Sequence, residues 1–556
     1  MRAIDRRLGL LFASFVLVLV LILGRAAWLQ GVEGRSLSGE AQSQQVQKLV
    51  VPGIRGTILD RKGNELAVSE DAATIFATPY QVNDPQHTAA RLAKVLDLDE
   101  HDVLASLADR DSGFAYIARK VSLDTGDKVE AMDLPGIGLL ADSRRIYPQG
   151  ALAGQVIGTV GTDNQGLTGL EASEDGVLHG SDGEREIVQD GLGQELERDT
   201  VTPATEGGTL RLSLDASLQA ETEKVLDDLG STYAPDGATA VVMDPRNSEI
   251  LAMANWPGVD PSDPADADPD RLANMATAFN YEPGSTFKAF TVAGALQERL
   301  VTPETRFDLA PTITVADRTI EESHERGYVN YSVADILAYS SNVGAVTIGL
   351  KLGDTEFDRW IRAFGFGEPT GVRFPGEERG IVIPVDEYSG STIGNLPIGQ
   401  GLSVTPIQIA AAYSAIASDG VLRSPRLVLD ENGEPVDAPE GERVISKSNA
   451  AKVREMLEGV LEPGGTASGV EVPGYTLAGK TGTAQKVDPD TGTYSESQFV
   501  ASFVGFAPAE DPRLLAAIVV DNPTQGSYSG GTVAAPAFGE IANFALPYLG
   551  IPPDQG

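Results

Sequence analysis

The chain has 556 residues, 42% of them apolar and 22% charged, which is too long for one ordinary domain and excludes a disordered or peptide-like chain. With 80 acidic against 42 basic residues its net charge is −38, which repels phosphate backbones, so no nucleic-acid partner is expected. It has no Cys, and its four His residues (His87, His101, His179 and His324) lack metal-ligand spacing; disulfides, thiolate nucleophiles, a metal and any cofactor are all unexpected.

Leu8 to Gly24 carries no charge and is rich in Leu and Val, with Arg2, Arg6 and Arg7 before it and Arg25 and Trp28 after it. Arg25 can snorkel and Trp28 can sit at the interface, which extends the usable span to Leu29, enough for a hydrocarbon core of ~30 Å. The apolar run exceeds the ~7–15 residues of a signal peptide, so residues 8–29 read as an uncleaved transmembrane anchor. The preceding arginines place residues 1–7 in the cytoplasm, and no second span follows. The expected topology is a single-pass plasma-membrane protein with its bulk outside the cytoplasm.

Residues 30–210 alternate short apolar segments with Gly, Asp and Pro, and read as an irregular α+β domain without a catalytic constellation. Strands are expected at Thr57–Leu59 and from Glu65, with Arg61-Lys62-Gly63-Asn64 as the turn, and helices over Ala89–Leu98 and Asp102–Ala108. Residues 211–236 read as a linker built on an amphipathic helix, Ser217–Leu229. A new domain is expected over 237–548, with a tail at 549–556. It opens on a hairpin, Ala238–Asp244 and Glu249–Ala254 around Pro245-Arg246-Asn247-Ser248, and ends on another, Phe499–Phe506 and Leu514–Val520. Helices lie between, so one antiparallel sheet closed by both ends is expected. Asp266, Asp268 and Asp270 imitate the start of an EF-hand, but Arg271 stands where Gly is needed and Thr277 where Glu is needed, leaving a solvated acidic loop.

The chemistry sits in three ordered motifs. Pro283-Gly284-Ser285-Thr286-Phe287-Lys288 precedes a helical run, which sets Ser285 and Lys288 on one face. A serine needs a base, and a lysine serves only if burial or a nearby cation lowers its pKa. Ser340-Ser341-Asn342 follows the helix-like Val333–Tyr339, and Lys480-Thr481-Gly482-Thr483 lies in the strand-like Tyr475–Val487. In a penicillin-recognising serine acyltransferase, Ser340 relays a proton, Asn342 holds the substrate amide and Lys480 supplies a cation near Lys288. Lys480 and the helix start are expected to depress the Lys288 pKa.

With these motifs the sequence resembles the class B penicillin-binding proteins, membrane-anchored D,D-transpeptidases that cross-link peptidoglycan. Arg55-Gly56-Thr57-Ile58-Leu59-Asp60-Arg61, Arg145-Ile146-Tyr147-Pro148, Gly166-Leu167-Thr168-Gly169-Leu170-Glu171, Ile398-Gly399-Gln400-Gly401 and Thr405-Pro406 extend the resemblance over nearly the whole chain. It implies an α+β fold with a pedestal (dimerisation-type) domain, then a transpeptidase domain like that of serine β-lactamases, with an antiparallel sheet and a helical subdomain. One departure is Asn274-Met275-Ala276, where relatives more often carry a basic residue in the middle. The chain also stops without the C-terminal repeats of some relatives and contains no glycosyltransferase domain, so glycan polymerisation is expected from a partner.

The resemblance further implies that Ser285 attacks the carbonyl between the terminal D-alanines of a stem peptide from a lipid-linked precursor, with the backbone N–H groups of Ser285 and Thr483 holding the oxyanion. Lys480, Thr481 and Thr483 would engage the substrate carboxylate, Gly482 would let substrate approach the strand, and β-lactams would block Ser285. The pedestal segments look most like the septal, division-specific branch, which implies a polytopic glycosyltransferase and other divisome membrane proteins as partners. An elongation-type transpeptidase, a serine β-lactamase and a catalytically silent β-lactam-binding wall protein are the alternatives.

Overall fold

The two terminal hairpins do meet in one sheet. In the computed structural model, which describes residues 2–30, 46–110, 112–189, 195–264, 268–488 and 491–555, the strands are β1 (Gly237–Asp244), β2 (Glu249–Trp256), β3 (Ala478–Val487), β4 (Tyr494–Ala507) and β5 (Leu514–Asp521). Their order is β2-β1-β5-β4-β3, every neighbouring pair antiparallel, and β1 pairs with β5 so that Val241 faces Ala517 and Thr239 faces Val519. β5 is buried at every position and β1 at all but its two ends. Such continuous apolar strands need cover on both faces.

Five helices matter for the site: α1 (Ala216–Tyr233), α2 (Lys288–Gln297), α3 (Asn342–Leu352), α4 (Pro406–Ala417) and α5 (Gly530–Tyr548). α1 and α5 pack on each other and on the sheet, and α4 packs on β1 and β5. α1 starts where the Asp215 side chain accepts from the Ser217 and Leu218 N–H groups, and it buries Leu218, Val225, Leu226 and Leu229. The sequence suggests a connector here. Its apolar stripe instead makes it one layer of the sheet's cover.

The chain forms two compact units, and their boundaries differ from a single cut near residue 210. One unit comprises Met1–Ile54, Asp71–Ser143 and Gly180–Gly207; the other comprises Arg55–Glu70, Arg144–His179 and Gly208–Gly556. Two pieces of the second unit, Arg55–Glu70 and Arg144–His179, are drawn together by buried charge. The Glu171 carboxylate, fully buried, accepts from Arg55 Nε at 2.5 Å and Arg145 Nε at 2.7 Å, and Arg55 Nη1 reaches Asp175 at 2.5 Å. Arg55 also donates to the carbonyls of Asn164 and Glu171, and Arg145 to that of Gly56. Three of the five segments that carry the family resemblance outside the motifs, those of Arg55, Arg145 and Glu171, therefore meet in one ion network.

In the first unit the helix Arg2–Trp28 contains a stretch, Arg6–Trp28, long and apolar enough to cross a membrane. Val46–Val51, Gly183–Gln189 and Glu195–Thr202 form a three-stranded antiparallel sheet. A separate core gathers Ile75, Leu92, Val103 and Leu107. Its helices, Pro85–Leu96 and Glu100–Ala108, start at Asp84 and Asp99, whose carboxylates accept from the His87 and His101 N–H groups. Of the acidic loop, Asp266 lies outside the described residues.

Candidate active site

The nucleophile turn is set by backbone constraints on both sides of Ser285. Gly284 has φ +54°, and Gly284–Phe287 forms a 3₁₀ turn that runs into α2 at Lys288. Gly284 N donates to Gly399 O at 3.0 Å. A Cβ on Gly399, itself at φ +75°, would lie 2.1 Å from Gly284 O, so only glycine lets the Ile398–Gly401 segment pack on this turn. The Thr286 carbonyl accepts from the Tyr413 hydroxyl of α4 at 2.6 Å, and Ser285 is left half-buried.

Lys288 is fully buried. Its Nζ donates to Ser340 O at 2.5 Å, Ser340 Oγ at 3.1 Å and Asn342 Oδ1 at 2.7 Å. Ser340 holds φ +59°, an uncommon conformation for a residue with a Cβ, and it lies in the turn between the helix Val333–Ala338 and α3. Local backbone cost is accepted where it brings carbonyl and hydroxyl to one amine.

Lys480, on the edge strand β3, is also fully buried, and its Nζ donates to Thr481 O at 3.2 Å. Strand alternation sends Lys480 and Gly482 to one face and Thr481 and Thr483 to the other. Thr481 Oγ1 is 2.7 Å from Thr466 Oγ1, while Thr483 is exposed and its Oγ1 accepts from Gly530 N at 3.0 Å, at the start of α5. A Cβ on Gly482 would lie 2.3 Å from Ser502 Oγ and 3.0 Å from Pro283 O. Gly482 thus admits the nucleophile turn and the neighbouring strand, a different reason from substrate approach.

Both amines are pushed towards neutrality. Burial brings Lys288 down to about 7, while the negative charge of Glu322 acts in the opposite sense. Burial also holds Lys480 well below the ordinary lysine range, and repulsion from Lys288 adds to it. Desolvation leads, and the second lysine is not the main cause for Lys288 that the sequence suggests. Glu282, three residues before Ser285, is raised by burial and accepts from Gly401 N at 2.8 Å and Tyr494 OH at 3.2 Å.

Comparison with known proteins decides the family. Residues 238–543 match the penicillin binding protein transpeptidase domain, and residues 50–212 the penicillin-binding protein dimerisation domain. The chain belongs to the class B penicillin-binding proteins. Among its relatives, stage V sporulation protein D of Bacillus subtilis is 36% identical over 99% of this chain and 87% of its own. The peptidoglycan D,D-transpeptidase FtsI of Escherichia coli is 33% identical over 99% of this chain and 93% of its own. The crystal structure of penicillin-binding protein 3 from Mycobacterium tuberculosis, complexed with aztreonam, superposes with a TM-score of 0.72 at 30% identity, covering 91% of this chain and 98% of that one.

As a penicillin-binding protein of this class, and of its septal branch, the chain carries a serine D,D-transpeptidase domain whose substrate class is peptidoglycan and whose inhibitor class is the β-lactams. Of the residues singled out in the sequence, Lys288, Ser340 and Asn342 touch one another, and Lys480 is coupled to Lys288 by charge. Ser285 leads directly into α2, Gly482 backs its turn, and Thr483 stands exposed at the strand edge. Thr481 is instead buried against Thr466. Sequence reasoning missed Glu322, Glu282 and Thr466. Glu282 stands beside the nucleophile motif, which is its only signal; the other two carry none.

Proposed function

We propose that this chain cross-links stem peptides in septal wall synthesis through an acyl-enzyme on Ser285, with Lys288 as the base. What most supports this is a lysine amine buried without a bonded carboxylate, near neutrality, held by Ser340 and Asn342 one helical turn from a serine. Ser285 Oγ attacks the carbonyl between the two terminal D-alanines and its proton passes to Lys288. The peptide C–N bond breaks, and the terminal D-alanine leaves with a proton returned through Ser340. The amine of a neighbouring stem then attacks the ester, its proton passes to the neutral Lys288, and as the C–O bond breaks Lys288 returns that proton to Ser285 Oγ, restoring the hydroxyl. Asn342 and the outward Thr483 orient the donor stem, and Lys480 favours its carboxylate. No net proton or water is consumed, unlike in a β-lactamase, which must activate water.

The arginines before the apolar helix support a cytoplasmic N-terminus and an extracytoplasmic catalytic domain. One experiment tests chemistry and topology together: a membrane-impermeant fluorescent penicillin applied to intact cells is expected to label the chain at Ser285 with a slowly released adduct. Labelling that survives Ser285→Ala, or appears only after lysis, overturns the proposal, and rapid hydrolysis of the adduct moves it to a β-lactamase. The septal role implies a polytopic glycosyltransferase and divisome membrane proteins as partners. Depleting the protein is accordingly expected to give filaments with unfinished septa, whereas rounded cells with normal septa assign it to elongation.

A further inference from the structure

Glu322 lies just past the strand Arg318–Glu321, in a segment without any motif, yet its side chain is only 8% exposed. Both of its oxygens are used. Oε2 accepts from Asn342 N at 2.7 Å; Oε1 accepts from Ser341 Oγ at 2.6 Å and Val343 N at 3.3 Å; and Arg326 forms an ion pair with the same carboxylate. Asn342 and Val343 open α3, and their N–H groups have no acceptor within the helix. A carboxylate there satisfies the donors and meets the positive end of the helix dipole. Ser341 is the N-cap and accepts from Gly344 N at 3.0 Å, so Glu322 holds the residue that holds the helix. The Asn342 side chain is fixed at both ends, Nδ2 donating to Glu321 O at 2.9 Å and Oδ1 accepting from Lys288 Nζ at 2.7 Å.

We propose that Glu322 is a positioning residue for acyl transfer, clamping Ser341, Asn342 and Val343 so that Ser340 and Asn342 hold the Lys288 amine in place. The inference rests on Lys288 being the base. Its electrostatic corollary is a balance among few charges. Among the described residues, Glu322, whose counter-ion is Arg326, acts on Lys288, and Lys288 and Lys480 of β3 repel each other. α2 carries no other ionisable side chain, and Asp335, on the neighbouring helix Val333–Ala338, is engaged at that helix's own N-cap. Glu322 therefore favours the protonated amine and Arg326 tempers it, so the two adjust the working pH that burial of the base sets.

The test measures the acylation rate of the full-length protein in detergent by a fluorescent penicillin as a function of pH. Glu322→Gln keeps the shape and one acceptor oxygen but loses the charge, so the Lys288 proton leaves more readily and the profile midpoint is expected to move to lower pH. Arg326→Ala unmasks the carboxylate and is expected to move the midpoint to higher pH. Each displacement should be about half a unit or more, since an opposite charge close to a buried group shifts its titration by that much or beyond. A purely structural contact lowers the rate at every pH and leaves the midpoint in place. Unmoved midpoints, or midpoints displaced in the same direction, overturn the proposal; should Glu322→Gln fail to fold, Arg326→Ala alone decides by its sign. If the parent protein is not acylated at Ser285, the functional reading falls and this inference with it.

Discussion

Replacing Lys288 with arginine is expected to slow acylation of Ser285 by roughly 10²–10⁴-fold, the contribution of a positioned general base. A guanidinium keeps its proton at any working pH and so cannot accept one from serine, although it would preserve the positive charge. The fully buried Lys288 amine, brought down to about 7, is neutral in a large fraction of molecules near pH 7. Acylation should rise as pH climbs through that value, because the neutral amine is the active form. Lys480→Ala should displace the rise to higher pH. Two buried amines in one cleft cannot both be charged cheaply, and removing one lets the other keep its proton longer. Distant acidic residues are screened over a Debye length of ~8–10 Å and do not compensate. Acylation rates against pH, taken after confirming that each variant is folded, check both statements. A Lys288→Arg protein acylated at the parent rate shows that another group is the base, and an unmoved Lys480→Ala profile shows that the amines do not interact.

The second large effect concerns stability. Glu171→Ala is expected to cost about 3–5 kcal/mol, because it leaves two buried guanidiniums facing each other without their shared carboxylate. Arg145 is held below the ordinary arginine range by burial, and the Glu171 charge is what opposes that desolvation. No exposed ion pair in the second unit should approach this figure, since surface pairs contribute ~0–1 kcal/mol. Lys447→Ala, which breaks the exposed contact with Asp419, serves as the comparison. The measurement is the denaturation midpoint of penicillin binding, which reports the second unit alone. Equal midpoints for Glu171→Ala and Lys447→Ala would remove the network from any account of the fold.

How much was legible in the sequence follows from how local each feature is. The strands of the catalytic sheet and the helix after Val333 announce themselves by apolar runs and turn residues, and each motif lies inside one element. The segments around Arg55, Arg145 and Glu171 were visible as a family likeness, but no periodicity relates three positions so far apart, so their joint purpose shows only in the folded chain. Glu322 is hidden for the same reason. It acts on the first turn of a helix twenty residues away, past the strand Val329–Ser332 and the helix Val333–Ala338, and carries a residue type common throughout an acidic chain. The amphipathic stripe of α1 reveals that the helix is covered, not by what.

The pairing of β1 with β5 has a consequence for the order in which the molecule can be made. β1 starts at residue 237 and its partner at residue 514, so the first hairpin, complete at residue 256, keeps an open edge through most of the synthesis that follows it. Lys480 stands on β3, which joins the sheet only through β4 and then β5. Contacts of such sequence separation form late and slowly. An unfinished chain therefore has the nucleophile motif long before it has a site, and the emerging enzyme stays chemically silent until its last strand closes the sheet.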